Sequence, residues 1–358
     1  MQLQLTYTAV PLLTLISVLA SAQTPTVALK PEAYRHYIDA FNRNDAELTV
    51  NEIPNAAAWD WMKANVPLFE CSDKSIEETY YFRWWTYRKH IKRTPDGFVI
   101  TEFLPPVPWA GKDDTISCSA AHHFYEGRWL RDRKYLSDYA RFWFLKGGNP
   151  RLYSFWAADS IRAWSMVTQD QHLGAELFPQ LVDNYRAWEK SNQDANGLFW
   201  QIDDRDGMEF SIGGSGYRPT INSYMYGDAM ALSDMATWVW PYKHDVALEF
   251  RAKADKLRAL VEQKLWDETK GFYLTRPRGA GERQVDVREQ VGFVPWYFNL
   301  PNPGREVAWK QLVDPQGFQA PFGPTTAERR SPRFMFSNPH ECLWNGPSWP
   351  FATSQTLV

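Results

Sequence analysis

Residues 124–144, FYEGRWLRDRKYLSDYARFWF, decide the class of fold. Their apolar and aromatic side chains recur three, four and seven positions apart. These spacings place side chains on one face of an α-helix, whereas a strand would need a period of two. The stretch therefore predicts one or two amphipathic helices, with a packing face formed by Trp129, Leu130, Tyr135, Leu136, Tyr139, Phe142 and Trp143.

The same helical period continues along the chain. It predicts helices over Ser154–Thr168, Ala175–Lys190, Ile221–Val239 and Asp245–Trp266, and a last helix that starts at Gly346-Pro347-Ser348. Long connections separate the helices, at residues 94–114, 192–219, 270–285 and 314–342. Loops of this length usually carry function. The repeated order of helix, long loop and helix predicts helical hairpins arranged around an axis, an (α/α) barrel with its loops gathered around a pocket.

The number of predicted helices bears on whether such a barrel closes. About nine or ten helices fit between residues 30 and 358. A closed barrel of six hairpins needs two helices for each hairpin, so the predicted number falls short. The last helix begins well and then meets the final residue, Val358. We therefore expect a barrel that is incomplete at its C-terminus.

Composition limits the classes of partner. Of 358 residues, 44% are hydrophobic and 23% are charged, enough for a sizeable core. The formal charge of −3 gives no basic field for a phosphate backbone, so nucleic acid is not an expected partner. Aromatic residues make up 16% and include 18 Trp. That excess predicts binding of a planar ligand with an apolar face.

The N-terminus has the pattern of a secretory signal peptide, residues 1–22. An uncharged, mostly apolar run from Ala9 to Ala20 precedes the small-x-small site Ala20-Ser21-Ala22. No Lys or Arg precedes the run, so an uncleaved anchor is the alternative, although twelve residues are too few to span a bilayer. We expect a secreted, extracellular protein that leaves the membrane after cleavage and is a monomer.

A cluster of carboxylates is the strongest candidate for chemistry. Asp203, Asp204, Asp206 and Glu209 fall within seven residues, just before a glycine-rich segment. Their aromatic neighbours can desolvate one carboxyl and raise its pKa, as a general acid for glycoside cleavage requires: they are Phe199, Trp200, Phe210 and Tyr217. A solvated acidic loop or a calcium-binding loop explains the cluster about equally well.

Residues 80–90, YYFRWWTYRKH, combine aromatic rings with cations. Trp84 and Trp85 would stack on the apolar face of a sugar, and Arg83 would bind hydroxyls or a carboxylate. A buried amphipathic helix with its Arg heads in solvent is an equally good explanation.

Two histidine segments give weaker signals. His122 and Glu126 lie four residues apart and would share a helical face, but no further ligand lies at metal spacing. Substrate hydrogen bonding or a buried pair is favoured, and we expect no metal and no cofactor. Residues 340–350, HECLWNGPSWP, would form a pocket wall or simply pack as a loop. A thiol dyad of His340 and Cys342 is disfavoured, and the three cysteines predict one disulfide with a spare thiol.

Three segments resemble one family of enzymes. They are DGMEFSIGG (206–214), RPTINSYMYGDA (218–229) and WNGPSWPFATSQTL (344–357). Together with the FRWWTYRKH run, they resemble the mannosylglycerate-hydrolase-like (α/α)6-barrel glycosidases, near glycoside hydrolase families 63 and 142. The resemblance implies a mainly α, six-hairpin (α/α)6-barrel catalytic domain over 76–358, preceded by a lead-in segment, 23–75.

The resemblance also implies an inverting mechanism, in which one carboxylic acid protonates the leaving oxygen and a carboxylate across the ring activates water. Family 63 places the acid in a Gly-Met/Trp-Asp-Asn-Ser-Pro motif, and Gly207-Met208-Glu209-Phe210-Ser211-Ile212 occupies that place here. Glu209 is thus the implied general acid, with Asp206 in reserve because Glu has the longer arm. The implied substrate-binding residues are Arg83, Trp84, Trp85, His123, Arg218, Asn222, Tyr224, Trp344 and Trp349.

The family's general base follows the WNGPSWP helix, which places it beyond Val358 in this numbering. Two hypotheses therefore compete. One is a secreted glycoside hydrolase that acts on a carbohydrate substrate, and the other is a non-catalytic carbohydrate-binding protein or an inactive, truncated glycosidase. L-arabinofuranosides, mannosides and glucosides are all open as substrates.

Overall fold

The computed structural model describes residues 29–239, 244–279 and 285–358, so the predicted signal peptide lies outside the described residues. Helices dominate this part of the chain: α1 Arg35–Asn44, α2 Ala58–Asn65, α3 Lys74–Lys89, α4 Ser117–Gly127, α5 Lys134–Leu145, α6 Ala157–Thr168, α7 His172–Asn192, α8 Pro219–Val239, α9 His244–Lys264, α10 Val294–Tyr297 and α11 Pro350–Leu357. Short strands form two hairpins: β1 Ile91–Thr94 with β2 Gly97–Ile100, and β3 Trp266–Asp267 with β4 Phe272–Tyr273.

The helical periodicity predicted for residues 124–144 is confirmed. These residues fall on α4 and α5, with a turn between Gly127 and Lys134. Six of the seven residues of the predicted packing face are buried. Trp129 is the exception, with half of its surface exposed, because it lies in the turn that the helical period does not describe.

α8 lies at the centre of the helix packing and contacts α6, α7, α9 and α10. α4 contacts α6, α6 contacts α8, α8 contacts α10, and α10 contacts α11. α7 and α9 pack behind α8. α8 is buried along most of its length, whereas α9 carries many charges and buries few residues, as expected for an outer helix.

The hairpin of β1 and β2 fixes the start of a long loop. The strands are antiparallel, with Ile91 opposite Ile100, and the hairpin packs against α5. The N–H of Thr101 donates to the carbonyl of His90, which extends the ladder by one residue. The loop that begins at residue 102 is therefore anchored at its start by the β1–β2 hairpin.

The lead-in helices share the hydrophobic core of the rest of the chain. Tyr37 stacks on Tyr81 of α3 at 5.5 Å between ring centroids, and Trp85 of α3 donates its indole N–H to Asn42. Asp73 caps α3 by accepting N–H groups from its first turn, so this helix starts just before the predicted boundary at Ile76.

The core takes up many of the aromatic rings that suggested a ligand. Trp156 is fully buried and packs against Tyr224, with 4.7 Å between ring centroids. The aromatic excess is thus in large part a packing signal. Within the described residues, no helix has the length and apolarity that a membrane crossing needs.

The predicted disulfide is wrong, because Cys71, Cys118 and Cys342 are all free thiols. Cys71 lies before α3, where its N–H donates to Glu77. Cys118 lies in the first turn of α4 against Gly207, on a different element.

Candidate active site

The acidic cluster lies on the loop from α7 to α8, which folds back on itself. Gln201 bridges Gly216, and Tyr217 bridges Arg276. Gly207 takes a left-handed φ of +68°, a region that favours glycine, and a Cβ there would lie 3.3 Å from the Cβ of Cys118. This turn presses the loop against the first turn of α4.

Asp206 faces the interior below this turn. Its carboxylate accepts a hydrogen bond from Nε of Arg218 at 2.6 Å, and it also accepts from the hydroxyls of Ser154 and Thr220. Both side chains of the ion pair are 0% exposed. Arg218 donates further to Ser211 and to the carbonyl of Gly214.

This geometry corrects two sequence assignments. A carboxylate sealed from solvent and occupied by three donors cannot give a proton to a substrate, so Asp206 is a structural residue rather than a reserve acid. Arg218 likewise holds the loop and does not line the pocket.

Glu209 lies three residues further along, half-buried, at the surface of the loop. Its backbone carbonyl accepts the N–H of Trp344 at 3.0 Å. Burial raises the pKa of its carboxyl, the negative charges of Asp204 and Asp203 add to the rise, and His340 opposes it. A partly accessible carboxyl with a raised pKa has the properties of a general acid.

The segment around residues 340–349 covers Glu209. Trp344 and Trp349 stack with 5.5 Å between centroids and 8° between planes, and Trp349 donates its indole N–H to the carbonyl of Leu343. His340 packs on Phe210 at 4.9 Å. Trp344 is buried and Trp349 is partly exposed. The structure thus brings both predicted tryptophans to the loop that carries Glu209.

A second carboxylate, Glu102, faces His123 of α4 and was missed by the sequence analysis. The thiol of Cys118 lies within electrostatic range of both carboxylates, and its pKa is raised by burial and then by Glu102 and Glu209. Burial also raises the pKa of Glu102 itself. The available signal was the long aromatic-rich loop over residues 94–114, within which a single Glu carries no pattern.

The two neighbouring histidines of α4 point to different surroundings. His123 contacts the hydroxyl of Tyr139 at 3.1 Å through Nδ1, and its Nε2 lies 3.9 Å from Glu102. His122 packs between Trp156 and Phe351, and burial lowers its pKa to about 4. Burial also holds the pKa of His123 well below its usual range. Both imidazoles are therefore neutral near pH 7.

His122 and Glu126 do not meet around a metal ion. Glu126 instead pairs with Arg83 at 2.8 Å. Among residues 29–239, 244–279 and 285–358, no three His, Cys, Asp or Glu side chains form a group that could hold a metal.

The remaining predicted pocket residues pack elsewhere. Trp84 and Trp85 are both buried, Trp84 against Tyr87 and Trp85 against α1, so the buried-helix alternative describes them. The side-chain amide of Asn222 accepts a hydrogen bond from the N–H of Phe199 and donates one to its carbonyl. Tyr224 is fully buried and hydrogen bonds with Gln355. These are contributions to packing, because the inner faces of α3 and α8 are filled by neighbouring side chains.

Residues 112–358 match the family model of the mannosylglycerate hydrolase MGH1-like glycoside hydrolase domain. The chain belongs to this family. No curated protein matches the chain. Membership establishes a glycoside hydrolase domain over residues 112–358.

Solved structures extend this result. A protein named sialidase is 44% identical with a TM-score of 0.88, over 92% of this chain and 31% of its own. The MGH1-like chain thus spans about a third of that protein. A GH63 mannosylglycerate hydrolase from Thermus thermophilus, in complex with Tris, is 15% identical with a TM-score of 0.58 over 74% and 83% of the two chains. An uncharacterized conserved protein from the same organism is 17% identical, with a TM-score of 0.59 over 74% and 82%.

These last two likenesses concern the fold alone. They confirm the prediction of a mainly α fold of the (α/α)6-barrel type.

Proposed function

We propose that this MGH1-like protein hydrolyses O-glycosidic bonds of an oligosaccharide or polysaccharide with inversion at the anomeric carbon, and that Glu209 is the general acid. The observation that carries the proposal is the half-buried Glu209 carboxyl, whose pKa is raised by burial and by the charges of Asp204 and Asp203. It lies beside a tryptophan pair, and aromatic rings suit the apolar face of a sugar.

In this mechanism, Glu209 gives its proton to the glycosidic oxygen as the bond to the anomeric carbon breaks. Partial desolvation keeps the carboxyl protonated to a higher pH than in water, and contact with solvent lets it regain its proton. The Trp344 N–H donates to the backbone carbonyl of Glu209, and this hydrogen bond fixes the backbone from which the carboxyl extends. The family pattern assigns activation of water to a carboxylate that follows α11, and Glu209 takes the role of the acid.

Product analysis tests this proposal. The purified protein is incubated with unactivated disaccharides and with aryl β- and α-glycosides of L-arabinofuranose, mannose and glucose, and proton NMR follows the first anomer released. We expect a product of inverted configuration, which Glu209→Gln does not release from unactivated glycosides. Release of the retained anomer would contradict inversion. Binding of sugar without turnover in the unsubstituted protein would favour the carbohydrate-binding alternative.

We also propose that the protein is secreted after cleavage between Ala22 and Gln23 and acts as a monomer. The small-x-small motif and the apolar run before it support export. N-terminal sequencing of protein recovered from the medium should begin at Gln23, and light scattering should give the monomer mass. An intact Met1 in the medium, or a dimer mass, would contradict the respective part.

A further inference from the structure

The loop over residues 101–116 closes on itself and leads into α4, whose Cys118 lies against Gly207 of the loop that carries Glu209. The N–H of Glu102 donates to the carbonyl of Asp114 at 3.1 Å, and the N–H of Val107 donates to the Asp114 carboxylate at 3.2 Å. The N–H of Gly111 donates to the carbonyl of Thr115. Compact loops whose two ends meet in this way are frequently functional. The β1–β2 hairpin at one end and α4 at the other fix the loop in place.

Glu102 lies at the base of this loop and faces α4. Its side chain is 30% exposed, so it is partly desolvated and still open to a ligand. A hydrogen bond with the Ser119 hydroxyl opposes the rise that burial causes in its pKa. If the Tyr139 hydroxyl donates to Nδ1 of His123, the ring proton lies on Nε2, which faces Glu102 at 3.9 Å. The Glu102 carboxyl thus lies where its oxygens can accept hydrogen bonds from the hydroxyl groups of a ligand.

Trp109 lies at the exposed side of the same loop. Its side chain is 67% exposed, and its ring meets Phe103 edge-on at 5.8 Å. Phe103 supports the indole from one side and leaves the rest in solvent. An exposed ring held in this way offers a surface for the apolar face of a sugar.

The charges near Glu209 indicate which sugars fit. Asp203 and Asp204, on the same loop as Glu209, carry two negative charges against the one positive charge of Arg205, which pairs with Asp204 at 3.4 Å. The nearby guanidinium of Arg218 is already paired with Asp206. A sugar that carries a carboxylate would therefore meet repulsion, whereas a neutral sugar would meet acceptors for its hydroxyls.

We propose that residues 101–116 form a substrate-binding wall beside Glu209, in which Trp109 stacks on a sugar ring, Glu102 accepts hydrogen bonds from its hydroxyls, and the ring is that of a neutral glycoside. The proposal rests on the proposed glycosidase function, and it assigns the residues that hold the sugar. Both residues touch substrate without taking part in proton transfer to the leaving group.

Steady-state kinetics and saturation-transfer NMR test the wall, with the neutral aryl glycoside that the protein cleaves fastest as the probe. Trp109→Ala should raise KM about three- to tenfold with kcat unchanged, the signature of lost uniform binding. Glu102→Gln should lower kcat/KM about three- to tenfold, because an amide nitrogen replaces one of the two oxygens that accept from sugar hydroxyls. An aryl sialoside should give no saturation transfer.

Matched substitutions control for general effects. Trp129→Ala removes another half-exposed tryptophan, at the opposite end of α4 from Cys118, and Glu78→Gln changes an exposed carboxylate on α3. Both should leave KM and kcat at the unsubstituted values. Because Trp109 is exposed, its substitution should leave the fold intact. Trp109→Ala therefore still tests the wall if Glu102→Gln impairs folding.

The outcomes separate this inference from the proposed function. Turnover with KM unchanged in both Trp109→Ala and Glu102→Gln would overturn the wall, and so would tighter binding of the sialoside than of neutral sugars. The protein could bind neutral aryl glycosides, as saturation transfer would show, without hydrolysing them. If Trp109→Ala then abolished the saturation transfer, the wall would be supported although the proposed hydrolysis had failed. Absence of saturation transfer from the unsubstituted protein would overturn the wall.

Discussion

Asp206 and Glu209 lie three residues apart on one loop and have opposite surroundings. Asp206 is fully buried, and its oxygens accept from Arg218, Ser154 and Thr220. Glu209 is half-buried, and its raised pKa is set first by desolvation and then by nearby charges. Three donors occupy the oxygens of Asp206, whereas burial raises the pKa of the Glu209 carboxyl and leaves part of that carboxyl open to solvent.

The difference arises from the turn at Gly207. Its backbone is left-handed, with φ +68°, and Gly207 itself lies against Cys118 of α4. Asp206, before the turn, faces the buried Arg218, whereas Phe210, after it, packs on His340. A cluster of carboxylates in sequence is therefore not one site. Burial and the supply of donors decide which carboxylate supports the fold and which is available for chemistry.

Glu209→Gln gives the largest expected effect. Loss of the proton donor should lower kcat on unactivated glycosides by about 10²- to 10⁴-fold, and far less on aryl glycosides with good leaving groups, which need little protonation. Stopped assays across a series of phenols measure the dependence on leaving group. Equal losses across that series would mean that Glu209 is not the acid.

Asp206→Asn should act on stability instead. It leaves the guanidinium of Arg218 buried without its counter-charge, at a cost of about 3–5 kcal/mol in the free energy of unfolding. Urea unfolding followed by circular dichroism measures that loss. The double substitution Asp206→Asn with Arg218→Met is the control and should cost less than the sum of the single ones. Full stability with lost activity would reverse the roles assigned to Asp206 and Glu209.

Glu77 offers a second carboxylate of the structural kind, on α3. It accepts from Tyr37, the Cys71 N–H and Lys74, and these donors lower its pKa from 4.5 to about 2. The depressed pKa means that its contribution to stability is present above pH 4.5 and is lost as the pH falls toward 2. Glu77→Gln should cost about 1.5–3 kcal/mol at pH 7.

Acid unfolding checks this expectation for Glu77. The difference in stability between the unsubstituted protein and Glu77→Gln should shrink progressively below pH 4.5. A difference that stays constant down to pH 2 would mean that Glu77 contributes through packing and not through its charge.

Asp204→Asn should give the smallest effect, and this effect should fall on the pKa of Glu209. It removes a negative charge that raises the pKa of Glu209, so that pKa falls. The acid then loses its proton at a lower pH, and the basic limb of the pH profile of kcat/KM shifts toward acid. Asp255→Asn, on α9, is the control and should leave the limb in place. A shift toward alkaline pH would contradict the electrostatic account.

The helices could be predicted because their determinants are local. A period near 3.6 in residues 124–144 reflects which side chains must be buried, and α4 and α5 follow from it. The loop that carries Glu209 was found from its density of carboxylates and aromatic residues. Trp344 and Trp349 were found beside it, because the WNGPSWP segment places both rings around one turn.

Other residues could not be assigned from the sequence. Trp84 and Trp85 have the composition of a sugar platform, but whether an aromatic ring is exposed depends on what packs against it, and α1 and the core cover both. Glu102 is 107 residues before Glu209 in the sequence and forms no motif with it. The tertiary structure places its carboxylate 3.9 Å from Nε2 of His123 on α4.

The sequence by itself determined the class of fold, the helical segments and the loop on which Glu209 lies, because periodicity and local composition act over a few residues. The tertiary structure alone decided that Asp206 is a buried anchor, that Glu209 is half-buried with a raised pKa, and that Glu102 and Trp109 share the loop that leads into α4. Those properties depend on desolvation and on partners distant in sequence. The pKa of a carboxyl and the exposure of a ring are set by what surrounds them in three dimensions.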